Sequence, residues 1–311
     1  PTYSVKFAVM FERPRSIVFF LNRHCGKNSR MSDAQLSSSS SDASSDCSYL
    51  SDGHFVGESG GKVGTFVLDE YLGHGSYAVV WSVQPPQTTS SQLPQKALKI
   101  GREDDFSDRE RRMLAQITPH DNVIRLYETF VWNRRGVMVV DAMDTDLFTL
   151  RRDYHFDRYD ACRQLAAGIA HVHSCGVIHC DIKPENVLAR FDEKHDRWVI
   201  KLCDFGAAST ADGADICDYG QTVAYRSPEM IVGDSKAIKP PADMWSYAAI
   251  VFEIFTENIL FDPHDSNHYT ARSTASCESS LRSNAEQLAL MQELLGKFPK
   301  KFAKKHREYF N

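Results

Sequence analysis

The segment His179-Cys180-Asp181-Ile182-Lys183-Pro184-Glu185-Asn186 sets a carboxylate, an ammonium and an amide at short fixed intervals, just after a helical stretch ended by Gly176. Groups of these three kinds can serve phosphoryl transfer to a hydroxyl. Asp181 would orient the hydroxyl and accept its proton, Lys183 would neutralise the phosphate in flight, and Asn186 would hold a Mg²⁺ ion. Further along, Asp204-Phe205-Gly206 follows the strand-like run VIKLC. A second carboxylate therefore reaches the same place, to bind the ion that bridges the β and γ phosphates.

Three weaker signals precede this loop. Gly73-His74-Gly75-Ser76-Tyr77-Ala78-Val79-Val80 lies between two strand-like runs, and its glycines would let a hairpin bring backbone N–H groups close to phosphate oxygens. A glycine-rich hairpin is also structurally ordinary, and Ala78 stands where a third glycine would be. Ala97-Leu98-Lys99 places one ammonium after two apolar residues, either to hold the α and β phosphates or as an exposed strand lysine. Glu110 could pair with Lys99, or be one more solvated helix charge beside Arg109 and Arg111.

The elements that must position these groups follow from periodicity. FVLDEYLG, YAVVWSV and KALKI alternate between Gly, Pro and Ser clusters and predict three antiparallel strands from about Thr65. A helix is predicted over Phe106 to Ile117, then two strands in VIRLYETFV and VMVVDA. After about Asp144 the pattern turns helical. Leu165, Ile169 and Val172 share one face of a helix predicted from Phe156 to Cys175 and stopped by Gly176. MWSYAAIVFEIF is apolar on nearly all sides, which predicts a helix at the centre of the second half rather than on its surface.

Composition bounds the remainder. The chain of 311 residues, 42% hydrophobic and with net charge -5, has material for a two-lobed domain and no global basic field of the kind that binds nucleic acid. Its 8 cysteines draw no disulfide framework and suit a reducing compartment. His171, His173, Cys175, His179 and Cys180 cluster without a paired CxxC, so a helix end and a catalytic loop explain them better than zinc does. SIVFFL at 16–21 and the apolar run from Met244 to Phe255 fall short of the roughly 20 residues that cross a bilayer. Glu12 interrupts the basic and apolar first segment, which argues against targeting, and Met31 is a candidate start. From Met31 to about Gly61 the Ser, Asp and Gly content predicts a disordered tail.

Taken together and in order, the motifs from about residue 66 to 260 resemble the eukaryotic protein kinase superfamily, with Thr222, Ser227-Pro228-Glu229 and Asp243-Met244-Trp245-Ser246 also in place. The resemblance implies an α+β, two-lobed fold. Its N-lobe, 65–143, would be a five-stranded antiparallel sheet with one helix, and its mainly helical C-lobe, 144–311, would be incomplete, after an extension over 1–64. It implies catalysis by Asp181 and Lys183, and ATP contacts from Gly73, His74, Gly75, Ser76, Tyr77, Ala78, Val80, Ala97, Lys99, Glu110, Asp141, Met143 and Leu188. Mg²⁺ would be held by Asn186 and Asp204, and the substrate positioned by Thr222 and Arg226.

Within the superfamily, Tyr225-Arg226-Ser227-Pro228-Glu229 resembles the group of cyclin-dependent, MAP, dual-specificity and SR-protein kinases. HCDIKPENVL, QTVAYRSPEM, LFDPHDSNHYT and EQLALMQELLGKFPKKFAKKHREYF are most similar to SR-protein kinases. Phe205 and Cys180 would also suit dual-specificity tyrosine-regulated kinases, and a catalytically inert kinase-like binding module is the competing class. The SR-type resemblance implies arginine/serine-rich protein substrates, an acidic groove for which Asp262, Asp265, Glu278 and Glu286 are candidates, and a monomer of cytoplasm and nucleus that contacts neither nucleic acid nor membrane. Cys180 stands where many kinases carry the arginine that grips an activation-loop phosphate, so activity is expected without phosphorylation at Thr210, Tyr219 or another residue there. The arginine that normally pairs with Glu229 is not visible, which leaves that carboxylate expected to be buried without a partner.

Overall fold

The computed structural model describes residues 19–20, 57–74, 78–84, 95–103, 108–211, 222–262 and 279–310. Strands β1 (Phe19–Phe20), β2 (Lys62–Val63), β3 (Phe66–His74), β4 (Ala78–Val83), β5 (Lys96–Glu103), β6 (Leu126–Trp132) and β7 (Arg135–Asp141) form a seven-stranded sheet in the order β1-β3-β4-β5-β7-β6, with β2 beside β3. All neighbours from β3 to β7 are antiparallel. The five expected strands are present, and two short ones join them. Phe19 and Phe20 pair in parallel with Gly73 and His74. Residues assigned to the disordered tail also belong to the sheet edge, because Gly60 and Gly61 exchange backbone hydrogen bonds with Leu68 and Val63 is fully buried. The stretches 1–18 and 21–56 lie outside the described residues.

Alternation along the strands creates two faces with different fates. Val79, Trp81, Leu98, Ile100, Val137 and Val139 pack into one core. Val80 and Ala97, of opposite parity, join a larger core with Leu72 and with Met113 and Leu114 of helix α1 (Asp108–Gln116). Lys99 shares the parity of Val80's partner face, so the pleat carries its ammonium toward the second half of the molecule.

That second half begins with β8 (Thr145–Asp146) and α2 (Leu147–Asp153), capped by Asp146 accepting from the Thr149 amide. Helix α3 (Arg158–Ser174) is capped by Asp157, which accepts from the amides of Tyr159 and Asp160. It buries Leu165, Ile169 and Val172 as the spacing predicts. Gly176, at φ +75°, turns the chain out of it into β9 (Val177–Ile178), a conformation costly for other residues. Gly168 serves closeness rather than turning: a Cβ there would lie 2.5 Å from the Asn122 carbonyl oxygen. Strands β10 (Val187–Asp192) and β11 (Arg197–Leu202) form an antiparallel pair beside β8, and β12 (Ser209–Thr210) pairs with β9. Helices α4 (Pro228–Ile231), α5 (Pro241–Thr256), α6 (Ser279–Leu295) and α7 (Lys300–Lys305) complete the described chain.

Helix α5 corrects one expectation. Its inward stripe, Ala242, Asp243, Ser246, Ala249, Ile250, Glu253 and Ile254, is buried, but Met244, Phe252 and Phe255 are 43%, 37% and 38% exposed. An all-apolar run records what a helix can bury, not what is packed against each side. Glu253, the apparent interruption, is buried: it accepts from Tyr225 OH at 2.7 Å and pairs with Arg151 at 2.6 Å. Glu229 is only half-buried, against the expectation of a buried carboxylate. Among the described residues no helix is long and apolar enough to cross a membrane.

Candidate active site

Between the sheet and the helical half lies a cleft whose lining includes Leu72, Val80, Lys99, Glu110, Met143 and Asp204. On one wall, Lys99 Nζ meets both oxygens of Glu110 at 2.8 and 2.7 Å and lies 3.5 Å from Asp204 Oδ1. Strand β5, helix α1 and the segment after β11 thus converge on one ammonium. Burial opposes the charge on Lys99, but the carboxylates of Asp204 and Glu110 prevail and hold it protonated, above its ordinary value. Glu110 is raised by the same burial, against Lys99.

The 179–186 loop adjoins this cleft and adds Glu185 to its lining, while Asp181, Lys183 and Asn186 lie outside that lining. Asp243, fully buried at the start of α5, accepts from the backbone N–H groups of His179 (2.8 Å) and Cys180 (2.9 Å) and from His173 Nε2 (2.8 Å). This fixes the loop, with Cys180 held at φ +62°. His179 Nε2 donates to the Cys203 carbonyl at 2.8 Å, its Nδ1 accepts the Asp181 amide at 3.2 Å, and its ring packs on buried Phe205. The suspected His/Cys cluster is therefore spent on loop geometry; His171 likewise bonds to the Thr118 carbonyl. Asp181 lies 3.1 Å from Lys183 Nζ and accepts from Asn186 Nδ2 at 3.0 Å. Burial pushes its carboxyl up to about 7, against the pull of Lys183. Asp204 takes the left-handed conformation at φ +62°, ψ +77°, and despite burial its carboxyl is held below the ordinary range, chiefly by Lys99.

Asn186 supplies a test of metal binding. Its Nδ2 is committed to Asp181, whereas Oδ1 is buried without a hydrogen-bond partner. A buried, unpaired amide oxygen is costly unless something electropositive meets it, and with the carboxylate of Asp204 it forms a hard-oxygen donor set suited to Mg²⁺.

Of the proposed ATP-contacting residues, Val80, Ala97, Lys99, Glu110, Asp141, Met143 and Leu188 line this cleft. Buried Ala78 does not, and His74 turns its ring to Tyr71, whose OH lies 2.5 Å from its Nδ1. Gly73 is described, at φ +144°, but Gly75, Ser76 and Tyr77 lie outside the described residues. Leu72, Leu114, Ile124, Val140, Glu185 and Cys203 line the cleft without having been singled out. The apolar ones carry no mark in the sequence that separates them from core. Glu185 is a different case, with a buried and unpaired Oε2. The amides of Ala142 and Asp144 bond to the carbonyls of Gln95 and Ala189, while that of Met143, a cleft-lining residue, has no partner among the described residues. The carboxylate of Asp141 is taken up by Arg125 N–H, Tyr127 OH and Lys201.

The family model for the protein kinase domain matches residues 66–306. This chain belongs to the protein kinase family. It is 35% identical over 210 residues to cyclin-dependent kinase-like 2 of Homo sapiens, covering 63% of this chain and 40% of that protein. It is 31% identical over 214 residues to the sporulation protein kinase mde3 of Schizosaccharomyces pombe (63% and 38%), and 30% identical over 214 residues to dual specificity tyrosine-phosphorylation-regulated kinase 3 of Rattus norvegicus (65% and 32%). The chain spans 40% or less of the length of these three relatives.

On the substrate side of the kinase, exposed Thr222 accepts from Lys183 Nζ at 3.3 Å, which ties the segment before Pro228 to the catalytic loop. Arg226 is half-buried, and burial lowers its guanidinium against the opposing charge of Asp181. Thr222 is thus tied to Lys183, and Arg226 lies within electrostatic reach of Asp181. Cys180 is buried against Ile178, Ile238 and Ala242, a setting made for packing rather than for gripping an anion. Of the acidic-groove candidates, Asp262 and Glu286 are half-buried and each already engaged, and Asp265 and Glu278 lie outside the described residues.

Proposed function

We propose that this protein kinase transfers the γ-phosphate of ATP to serine or threonine hydroxyls of arginine/serine-rich protein segments. The observation that carries the chemistry is the convergence of Lys99, Glu110 and Asp204 with Asp181, Lys183 and Asn186, the two groups meeting where Asp204 faces the charges of Asp181 and Lys183. Asp181 accepts the proton of the attacking hydroxyl as the bond from its oxygen to phosphorus forms and the bond from phosphorus to ADP breaks. Lys99, locked by Glu110, holds the α and β phosphates, and Lys183 offsets charge on the phosphoryl group in transfer. Asn186 and Asp204 would hold Mg²⁺, which when bound neutralises charge on the phosphate oxygens.

The Lys183–Thr222 bond supports a serine or threonine acceptor, since it frames Asp181 on the substrate side. The choice of arginine/serine-rich segments rests on the sequence segments quoted for that resemblance and not on the relatives above. A second reading, a dual-specificity tyrosine-regulated type, is favoured by Phe205, Cys180 and the likeness to the rat kinase. The experiment that separates them is transfer from MgATP to an arginine-serine repeat peptide beside a proline-directed serine peptide, with Asp204→Asn as background. Transfer confined to the repeat peptide supports the first reading. Preference for the proline-directed peptide overturns its substrate class, and no transfer above background overturns the activity. Dephosphorylated enzyme is expected to retain turnover, since the pocket around Cys180 has no arginine at that position; inactivity rescued by phosphorylating the loop would contradict this.

A further inference from the structure

Asp141 ends β7, two residues before Met143, and both line the cleft. Its Oδ2 accepts from the Arg125 amide at 2.9 Å and pairs with Lys201 Nζ at 2.9 Å, while Oδ1 accepts from Tyr127 OH at 2.8 Å. Both charged residues are buried, and Lys201 also reaches the Val123 carbonyl at 3.4 Å. Burial, then the bond to Asp141, pushes the Tyr127 hydroxyl up to about 12, so it remains a donor. Backbone bonds reinforce the junction: Ile124 N–H donates to Leu202 O at 2.8 Å and Leu202 N–H to Asn122 O at 3.0 Å.

What this junction joins is informative. Lys201 lies on β11, three residues before Asp204, whose carboxylate sits at the phosphate end beside Lys99. Asp141 adjoins the free amide of Met143 at the base end. A buried ion pair in low dielectric strongly resists separation, so β11 cannot slide against the end of β7 without stranding two charges.

We propose that the Asp141–Lys201 pair is a register latch, a positioning device that fixes the strand carrying Asp204 against the base-binding end so that one nucleotide is gripped at both ends at once. The latch rests on the nucleotide reading of the cleft. It is distinct from a role in holding the base, because adenosine uses one end only and MgADP uses both. Removing the latch selectively weakens the ligand that spans it.

The test uses the full chain as wild type, Asp141→Asn, Lys201→Met and the double variant, with melting temperature and calorimetric binding of adenosine and of MgADP. Each single variant strands a buried charge and lowers the melting temperature. The double variant removes both charges and recovers much of it. In Lys201→Met, which leaves every cleft-lining residue in place, adenosine affinity is expected to stay within about twofold of wild type while MgADP weakens about tenfold. Should Lys201→Met not melt cooperatively, Lys201→Gln, which keeps a donor for Asp141, is read in its place with the same selective loss expected. Equal weakening of both ligands, or unchanged MgADP binding, overturns the latch. A wild-type chain that binds no MgADP overturns the nucleotide reading itself, and the latch with it, before any variant is compared.

Discussion

The nucleotide-free kinase should become less stable as pH rises from about 4 toward neutrality, and Asp181 should be the cause. Its carboxyl is buried and raised from 3.8 to about 7. Below the ordinary value the folded and unfolded states are both protonated there, and Asp181 is neutral in the balance. Between that value and about 7 the folded state retains a proton that the unfolded state has lost, so unfolding becomes easier with each step in pH. Above about 7 both states are ionised and the full penalty, about 4 kcal/mol, is present. Asp181→Asn removes this dependence while keeping an acceptor beside Lys183, whose bond to the Thr222 hydroxyl is unchanged. Any cost of uncoupling Lys183 is constant over this range, so the slope isolates Asp181. Urea denaturation of both proteins with a metal chelator present, from about pH 5 to 8, should show the variant gaining on wild type by about 2–3 kcal/mol before the two curves run parallel. Curves parallel throughout would refute the reasoning.

Other consequences are as direct. Lys99→Met should reduce phosphate transfer by about two orders of magnitude or more, because Glu110 then has nothing to hold against the phosphates; a radiolabel transfer assay checks this. Asn186→Ala removes the unpaired Oδ1 and should raise the Mg²⁺ concentration for half-maximal ADP binding about tenfold, read by titration at fixed ADP. Gly168→Ala puts a carbon 2.5 Å from a backbone oxygen and should destabilise by about 1–3 kcal/mol in chemical denaturation. Tyr225→Phe strands one oxygen of buried Glu253 and should cost about 1–3 kcal/mol in the same assay.

The sequence made the phosphate end of this cleft readable because each residue there needs its own chemistry: no other side chain replaces Lys99 against Glu110 or Asn186 against Asp181. The helix stop at Gly176 and the alternation of Val80 with Trp81 were readable because local backbone and pleat geometry impose them. The role of Asp141 was not, since its carboxylate is claimed by groups on β6 and β11 that only folding brings near. The same holds for Glu253, which reads as a flaw in an apolar helix until Tyr225 and Arg151 are seen around it. Residues 57–64 looked like tail because a short polar stretch betrays no partner, yet β3 offers them an open edge.

The seam at residues 122–124 has a mechanical corollary. Asn122 bonds through its side chain to Gln164 of α3 and through its backbone to Leu202, so this stretch travels with the helical half although it precedes β6 and β7 in the chain. Helix α1 is thus moored at its far end, near Ile117. Seven residues back, at a rise of 1.5 Å each, Glu110 sits on an arm of about 10 Å. A tilt of about 10° about the mooring would carry Glu110 by about 2 Å, enough to open a 2.7 Å ion pair, while Leu114 at the short end of the lever would shift by less than about 1 Å. Such a tilt would release Lys99 together with the Arg109 bond to the Ala208 carbonyl, while leaving Leu114 nearly in place.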